Sequence, residues 1–255
     1  MRIRNETPFA FGYVVTMAET PRMTAVVRGR FSLGVNPMAP VELERDLPGF
    51  VDDDLAEQLA PLVQGSVTSD ALEEHGEHSW VSYPSDVVPF KPKADVMLRG
   101  VCHPPGGREA TECVVRFGVG TWSKRLRVVG PRVWVDKIMG GKITEPLPFA
   151  SMPLDYTHAY GGPDYPLNPV GRGHQAAELP NVELVGSNTS AQTGPVGFGP
   201  LNSEWPQRAT KRGTNYGDKW RAERAPAYAD DFDWTYFNSA PADQQLDDYL
   251  RGDEA

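Results

Sequence analysis

Glycine and proline recur so often along this chain that long regular elements have little room to form. They number 25 and 24 of the 255 residues. Proline removes a backbone donor and clashes with the preceding helical turn, while glycine raises the entropic cost of order. The constraint is strongest from about Gly140 to Asn215, where Pro, Gly, Asn and aromatic residues dominate and no long periodic run survives. Disordered chains are poor in aromatic anchors, yet Tyr156, Tyr160, Phe198 and Trp205 punctuate this stretch and Tyr216 and Trp220 follow it directly. At 40% hydrophobic and 10% aromatic residues, the chain is also long enough to bury a core. The stretch is therefore expected to be ordered, irregular loops laid over a β core. Ordering so long a loop is entropically costly, which implies heavy packing or a functional role.

The first half reads as strands. In "MTAVVRGRFSLGV" (Met23 to Val35), Ala25, Val27, Phe31, Leu33 and Val35 share one face, and Arg28, Arg30 and Ser32 the other. Period two over this length predicts a half-buried strand. "FGYVVTM" (Phe11 to Met17) is its expected partner across the turn-like "AETPR". Leu55, Leu59 and Leu62 recur at helical spacing in Asp52 to Gly65, with aspartates to cap the start and Pro61 to end or kink the helix. Asp95 to Cys102, Glu112 to Val119 and Lys124 to Val135 read as a three-strand meander, turned at "HPPGGREA" and bent at Gly130-Pro131. In a simple hairpin Cys102 and Cys113 lie roughly opposite each other, within reach of cross-strand pairing. In a reducing cytoplasm they read as two small buried side chains. A short helix is expected over Ala242 to Leu250. No internal repeat is present. The fold class is mainly β: an antiparallel meander or sandwich with a long ordered Gly/Pro-rich loop region and one or two short helices. We expect a single domain over residues 1–255, β-rich to residue 139 and loop-rich from 140.

The chemistry-bearing motifs fall short of known sites. "AYGGPDYPLNPVGRGH" (Ala159 to His174) has the glycines and arginine of a phosphate cradle. It lacks the Lys-Ser/Thr pair of a Walker loop, and Pro163, Pro166 and Pro169 preclude the helix a dinucleotide fingerprint opens. Tight turns account for it, with glycine supplying positive φ and Asn168-Pro169 starting a turn. His75-x-x-His78 and the two cysteines lack the paired close spacing of zinc ligands. "GSVTS" and "VGSNTS" are not nucleophile elbows. "DDFDW" (Asp230 to Trp234) lacks the twelve-residue calcium-loop spacing and reads as an acidic turn before an aromatic anchor. No cofactor, metal or catalytic set is assigned.

Charge narrows the partners. The net charge of −9, from 25 basic and 34 acidic residues, disfavours general binding to nucleic acid or anionic membrane. No apolar run approaches a membrane span, and the N-terminus has no clean apolar core or small-residue cleavage site, so a cytoplasmic protein is expected. Arg22, Arg28, Arg30, Lys91, Lys93, Lys124, Arg125 and Arg127 cluster in the β half and read as outward-facing strand charge.

The blocks "NETPFAFGYVV", "VVRGRFSL", "PFKPKADVMLRG", "VVGPRVW", "LPFASMPLDYTHAYGGPDYPLNPVGRG", "LPNVEL", "PVGFGPLNSEWPQR" and "DDFDWTYFNSAPADQQ" occur in order over nearly the whole chain. In them the chain resembles the bacterial domain-of-unknown-function 2169 family. The resemblance implies a companion of type VI secretion systems. Its role would be a non-enzymatic adaptor or chaperone that holds a secreted effector and helps load it on the spike and tip proteins. No catalytic set comes with the family. Members often continue into further β-rich sequence, so the resemblance also implies either a short version or a further C-terminal part. Partner contacts are expected from aromatic and polar groups of the loop region: Tyr160, Asn168, Arg172, Asn181, Trp205 and Trp234. The alternatives are a hydrolase acting on cell wall or glycan, with its site among the loops, and a carbohydrate-binding module.

Overall fold

The computed structural model describes residues 9–16, 22–32, 42–43, 81, 84–85, 88–135, 141–186, 194–225 and 227–247. The fold is mainly β, with largely antiparallel pairings and short helices. The chain divides into two compact units. One comprises Met1–Val67, Tyr83–Pro92 and Arg212–Phe237; the other comprises Thr68–Ser82, Lys93–Lys211 and Asn238–Ala255. Residue 140 falls inside the second unit.

In the first unit, β1 (Ala10–Thr16) pairs antiparallel with β2 (Arg22–Arg28), from Ala10 opposite Arg28 to Thr16 opposite Arg22. This is the hairpin the alternation predicts, but its sides are reversed. The apolar residues Tyr13, Val15, Met23, Ala25 and Val27 are exposed, and the other face, with Thr24, Val26 and Arg28, is half-buried. The Thr24 hydroxyl donates to the Pro89 carbonyl, so it is this mixed face that packs inward. The strand also stops early. After Gly29 the chain restarts as β3 (Phe31–Ser32), which pairs with β4 (Glu42–Leu43). Leu33, Val35 and the expected helix at Asp52 to Gly65 lie outside the described residues.

An aromatic cluster anchors the rest of this unit. Tyr228, Phe232, Trp234 and Phe237 contact one another, with Tyr228 and Phe232 centroids 4.3 Å apart. A helix over Asp218–Glu223 carries Trp220, whose indole N–H donates to the Ala227 carbonyl at 2.8 Å. The aspartates of "DDFDW" cap turns. Asp231 accepts from the backbone N–H groups of Thr214 (2.7 Å) and Asn215 (3.2 Å), and Asp233 from that of Thr235 (2.8 Å). These backbone bonds draw the Asp231 carboxyl below its ordinary value.

The second unit holds the main sheet. Its first strands are β5 (Ala94–Asp95) and β6 (Val101–Cys102). Then β7 (Glu112–Val119) and β8 (Trp122–Val129) form a hairpin that closes with Val119 opposite Trp122. Inward side chains alternate as period two demands: Cys113, Val115 and Phe117 on β7, and Lys124, Leu126 and Val128 on β8. The chain bends at Gly130-Pro131, as expected, into β9 (Trp134–Val135), paired with β10 (Lys142–Ile143). Glycine is required at that bend, because a Cβ on Gly130 would lie 1.8 Å from the Leu147 carbonyl oxygen.

The third sheet strand is not the predicted one. β11 (Met152–Pro153) pairs with β6, and β12 (Tyr160–Gly161) runs parallel to β13 (Arg172–Gly173). It is β14 (Val182–Leu184) that joins β8, giving the order β14-β8-β7. Asp95 to Cys102 is therefore not one meander strand, because its two ends pair elsewhere. Within the helix expected over Ala242 to Leu250, the described residues form instead a single 3-10 turn, Ala242–Gln244, followed by β15 (Gln245–Leu246), which pairs with β5; residues 248–250 lie outside the described residues. A short helix at Pro206–Ala209 was not predicted. The core joins the sheet to the loops, with Leu126, Val128, Phe149, Met152, Leu154, Ala159, Val182 and Phe198 in one cluster. Removing this apolar area from water is the main favourable contribution to folding.

Candidate functional site

The loop expected to meet a partner is built around its own backbone. Asp155 caps the 3-10 turn Tyr156–His158, accepting from the Thr157 N–H at 3.0 Å, the Thr157 hydroxyl at 2.6 Å and His158 Nδ1 at 2.8 Å. Burial alone would raise the Asp155 carboxyl, but hydrogen bonds from His158 and Thr157 outweigh it and hold the carboxyl below its ordinary value. The segment between β12 and β13 returns on itself around Asn168. The Asn168 amide donates to the carbonyls of Tyr156 (2.9 Å) and Tyr160 (3.0 Å). Gly161 is demanded by close approach, since a Cβ there would sit 2.0 Å from the Asn168 carbonyl oxygen.

Arg172 faces inward. Its Nε donates to the Thr157 carbonyl at 2.8 Å, and a terminal nitrogen to Asn181 Oδ1 at 3.2 Å. Asn181 in turn donates to the Val129 carbonyl at 2.9 Å, at the end of β8. Arg172 and Asn181 thus tie the Gly/Pro loop to the sheet, while Asn168 holds the loop to itself. Trp205 packs edge-on to Tyr156 beside Leu201. Asn168, Asn181 and Trp205 are 0%, 2% and 3% exposed, so the expected partner contacts are corrected at these positions: they have no surface to offer. Tyr160 is half-buried and its hydroxyl lies 3.2 Å from His174 Nδ1. Trp234 sits apart from the others, in the aromatic cluster of the first unit.

Among the described residues, one group of exposed apolar side chains lies on the β1–β2 hairpin. Tyr13, Val15, Met23 and Val27 are 58%, 49%, 44% and 61% exposed, and the register sets Val15 opposite Met23 and Tyr13 opposite Ala25. Residues 9–16 and 22–32 hold three arginines, Arg22, Arg28 and Arg30, and no acidic residue. Period two located these residues on one face, but periodicity does not say which face a strand buries.

The second unit also contains a cavity of about 510 Å³, walled by Leu167, Leu184, Val196 and Leu201. Lys124 lines it and was expected to point outward. It is instead buried, with Nζ 3.0 Å from Asp243 Oδ2 and 2.7 Å from Gln244 Oε1. Burial lowers its pKa, and Asp243 opposes that shift. Among the described residues, no group of three or more His, Cys, Asp or Glu side chains is placed to hold a metal. No helix among them is long and apolar enough to cross a membrane.

The molecule is thus a mainly β protein whose signature loop is internal scaffold and whose apolar hairpin face is open. The chain belongs to the DUF2169 family, described as uncharacterised proteins conserved in bacteria, whose family model matches residues 21–255. No curated protein and no solved structure matches it.

Proposed function

We propose that this protein is a non-enzymatic adaptor that binds a type VI secretion effector and assists its loading onto the spike and tip proteins. The observation that carries the reading is the exposed apolar face of the β1–β2 hairpin, with Tyr13, Val15, Met23 and Val27 all more than two-fifths exposed. A protein that works by holding another needs such a surface, and since these side chains are already about half covered, burying the rest of each contributes on the order of 1 kcal/mol before the costs of association are subtracted. Tyr13, large and amphipathic, is suited to the centre of the contact.

Co-expression with a candidate type VI secretion effector tests this reading. The effector's soluble yield should rise and the two should co-purify. Separate elution, together with effector secretion that survives deletion of this protein, would refute it.

A further inference from the structure

Cys102 and Cys113 come from strands that do not pair with each other. Cys102, on β6, lies opposite Met152 of β11, and Cys113, on β7, lies opposite Val128 of β8. Both are free thiols, yet their Sγ atoms stand 3.0 Å apart. Two unbonded sulfurs at this distance need only a small approach to reach the disulfide bond length of about 2.05 Å. Both sit at the edge of the main hydrophobic cluster, Cys102 within it and Cys113 packed against it.

We propose that Cys102 and Cys113 are a redox modification site that closes to an intramolecular disulfide under oxidising conditions. The oxidant is a small-molecule disulfide of the glutathione class. Cys113 is the more accessible thiol, since Cys102 is only 5% exposed. The Cys113 thiolate attacks one sulfur of the oxidant, forming a mixed disulfide and releasing one glutathione thiolate. Cys102 then gives its proton to solvent, and its thiolate attacks the Cys113 sulfur. The Cys102–Cys113 bond forms as the mixed disulfide breaks and the second glutathione leaves. The protein loses two hydrogens and two electrons, and the oxidant is reduced to two thiols. Burial, with the neighbouring Cys113 thiol, pushes the Cys102 thiol up to about 12, so the resolving step is slow and speeds up at higher pH.

The bond would staple β6 to β7 across the Pro104 to Thr111 connection. That connection carries the Pro105–Gly107 turn, with Gly106 and Gly107 both at positive φ. Closing a loop of this length constrains the unfolded chain and raises the melting temperature, by roughly 5 °C in a protein of this size.

The test uses the full chain, oxidised with glutathione disulfide both when folded and during refolding, then alkylated and analysed by mass. The expected result is loss of both alkylatable thiols in at least one arm, a cross-linked peptide joining Cys102 to Cys113, and a higher melting temperature that reduction reverses. In Cys113→Ala, whose site is only half-buried, the same oxidant should leave the melting temperature unchanged. Two alkylatable thiols surviving both arms, a persistent glutathione adduct, or a disulfide between two chains would each overturn the proposal.

Discussion

Asn168 gives both amide hydrogens to carbonyls of the loop that surrounds it, and it is fully buried. Truncating it removes these donors from the Tyr156 and Tyr160 carbonyls, the first of which is bonded in a buried site. Asn168→Ala should therefore cost about 2–4 kcal/mol, read from the urea midpoint at constant slope. Gly161→Ala drives a methyl into the Asn168 carbonyl and should cost about 1–3 kcal/mol or prevent folding. Asp155 gives a pH signature. Its folded pKa lies below the ordinary value of 3.8, so its contribution is complete above that value and is lost as pH falls through the lower folded pKa. The stability gap between wild type and Asp155→Asn should be widest at neutral pH and close in strong acid, as measured by denaturant unfolding across that range. The motif around these residues was legible in the sequence as tight turns. That Asn168, Arg172 and Asn181 face inward was not, because a polar side chain in a Gly/Pro loop reads the same whether it bonds to backbone or to a partner.

At the scale of elements, Glu183 of β14 is a buried charge shared across the sheet. It is 4% exposed, pairs with Arg132, and meets Arg127 of β8 at 3.3 Å. Burial pushes its carboxyl up, and the two arginines pull it back toward the ionised form. Glu183→Ala strands Arg132, itself 8% exposed, and should cost about 3–5 kcal/mol. The Glu183→Leu/Arg132→Met pair should recover much of that loss, and a double-mutant cycle measures the coupling. The alternating patterns of β1, β2, β7 and β8 made those strands readable. The β14–β8 pairing escaped prediction because β14 has only three residues, too few to show a period. Asp95 to Cys102 misled for the complementary reason. Its apolar content is strand-like, but its two short strands pair with β15 and β11, far away in sequence.

At the scale of the molecule, the mainly β class follows from composition and alternation. The division into two interleaved units does not, because it depends on which distant segments pack together. The apolar side of the β1–β2 hairpin is the sharpest departure from a globular expectation. A chain with a net charge of −9 whose Tyr13, Val15, Met23 and Val27 are exposed fits the proposed role of holding another polypeptide. The most direct measurement is the dissociation constant for a candidate type VI effector that the wild type binds, compared between wild type and the double variant Tyr13→Asp/Val27→Asp, with melting temperature as the control for folding. The adaptor proposal predicts binding weakened at least tenfold with the melting temperature little changed. Equal affinity in a folded double variant would contradict it.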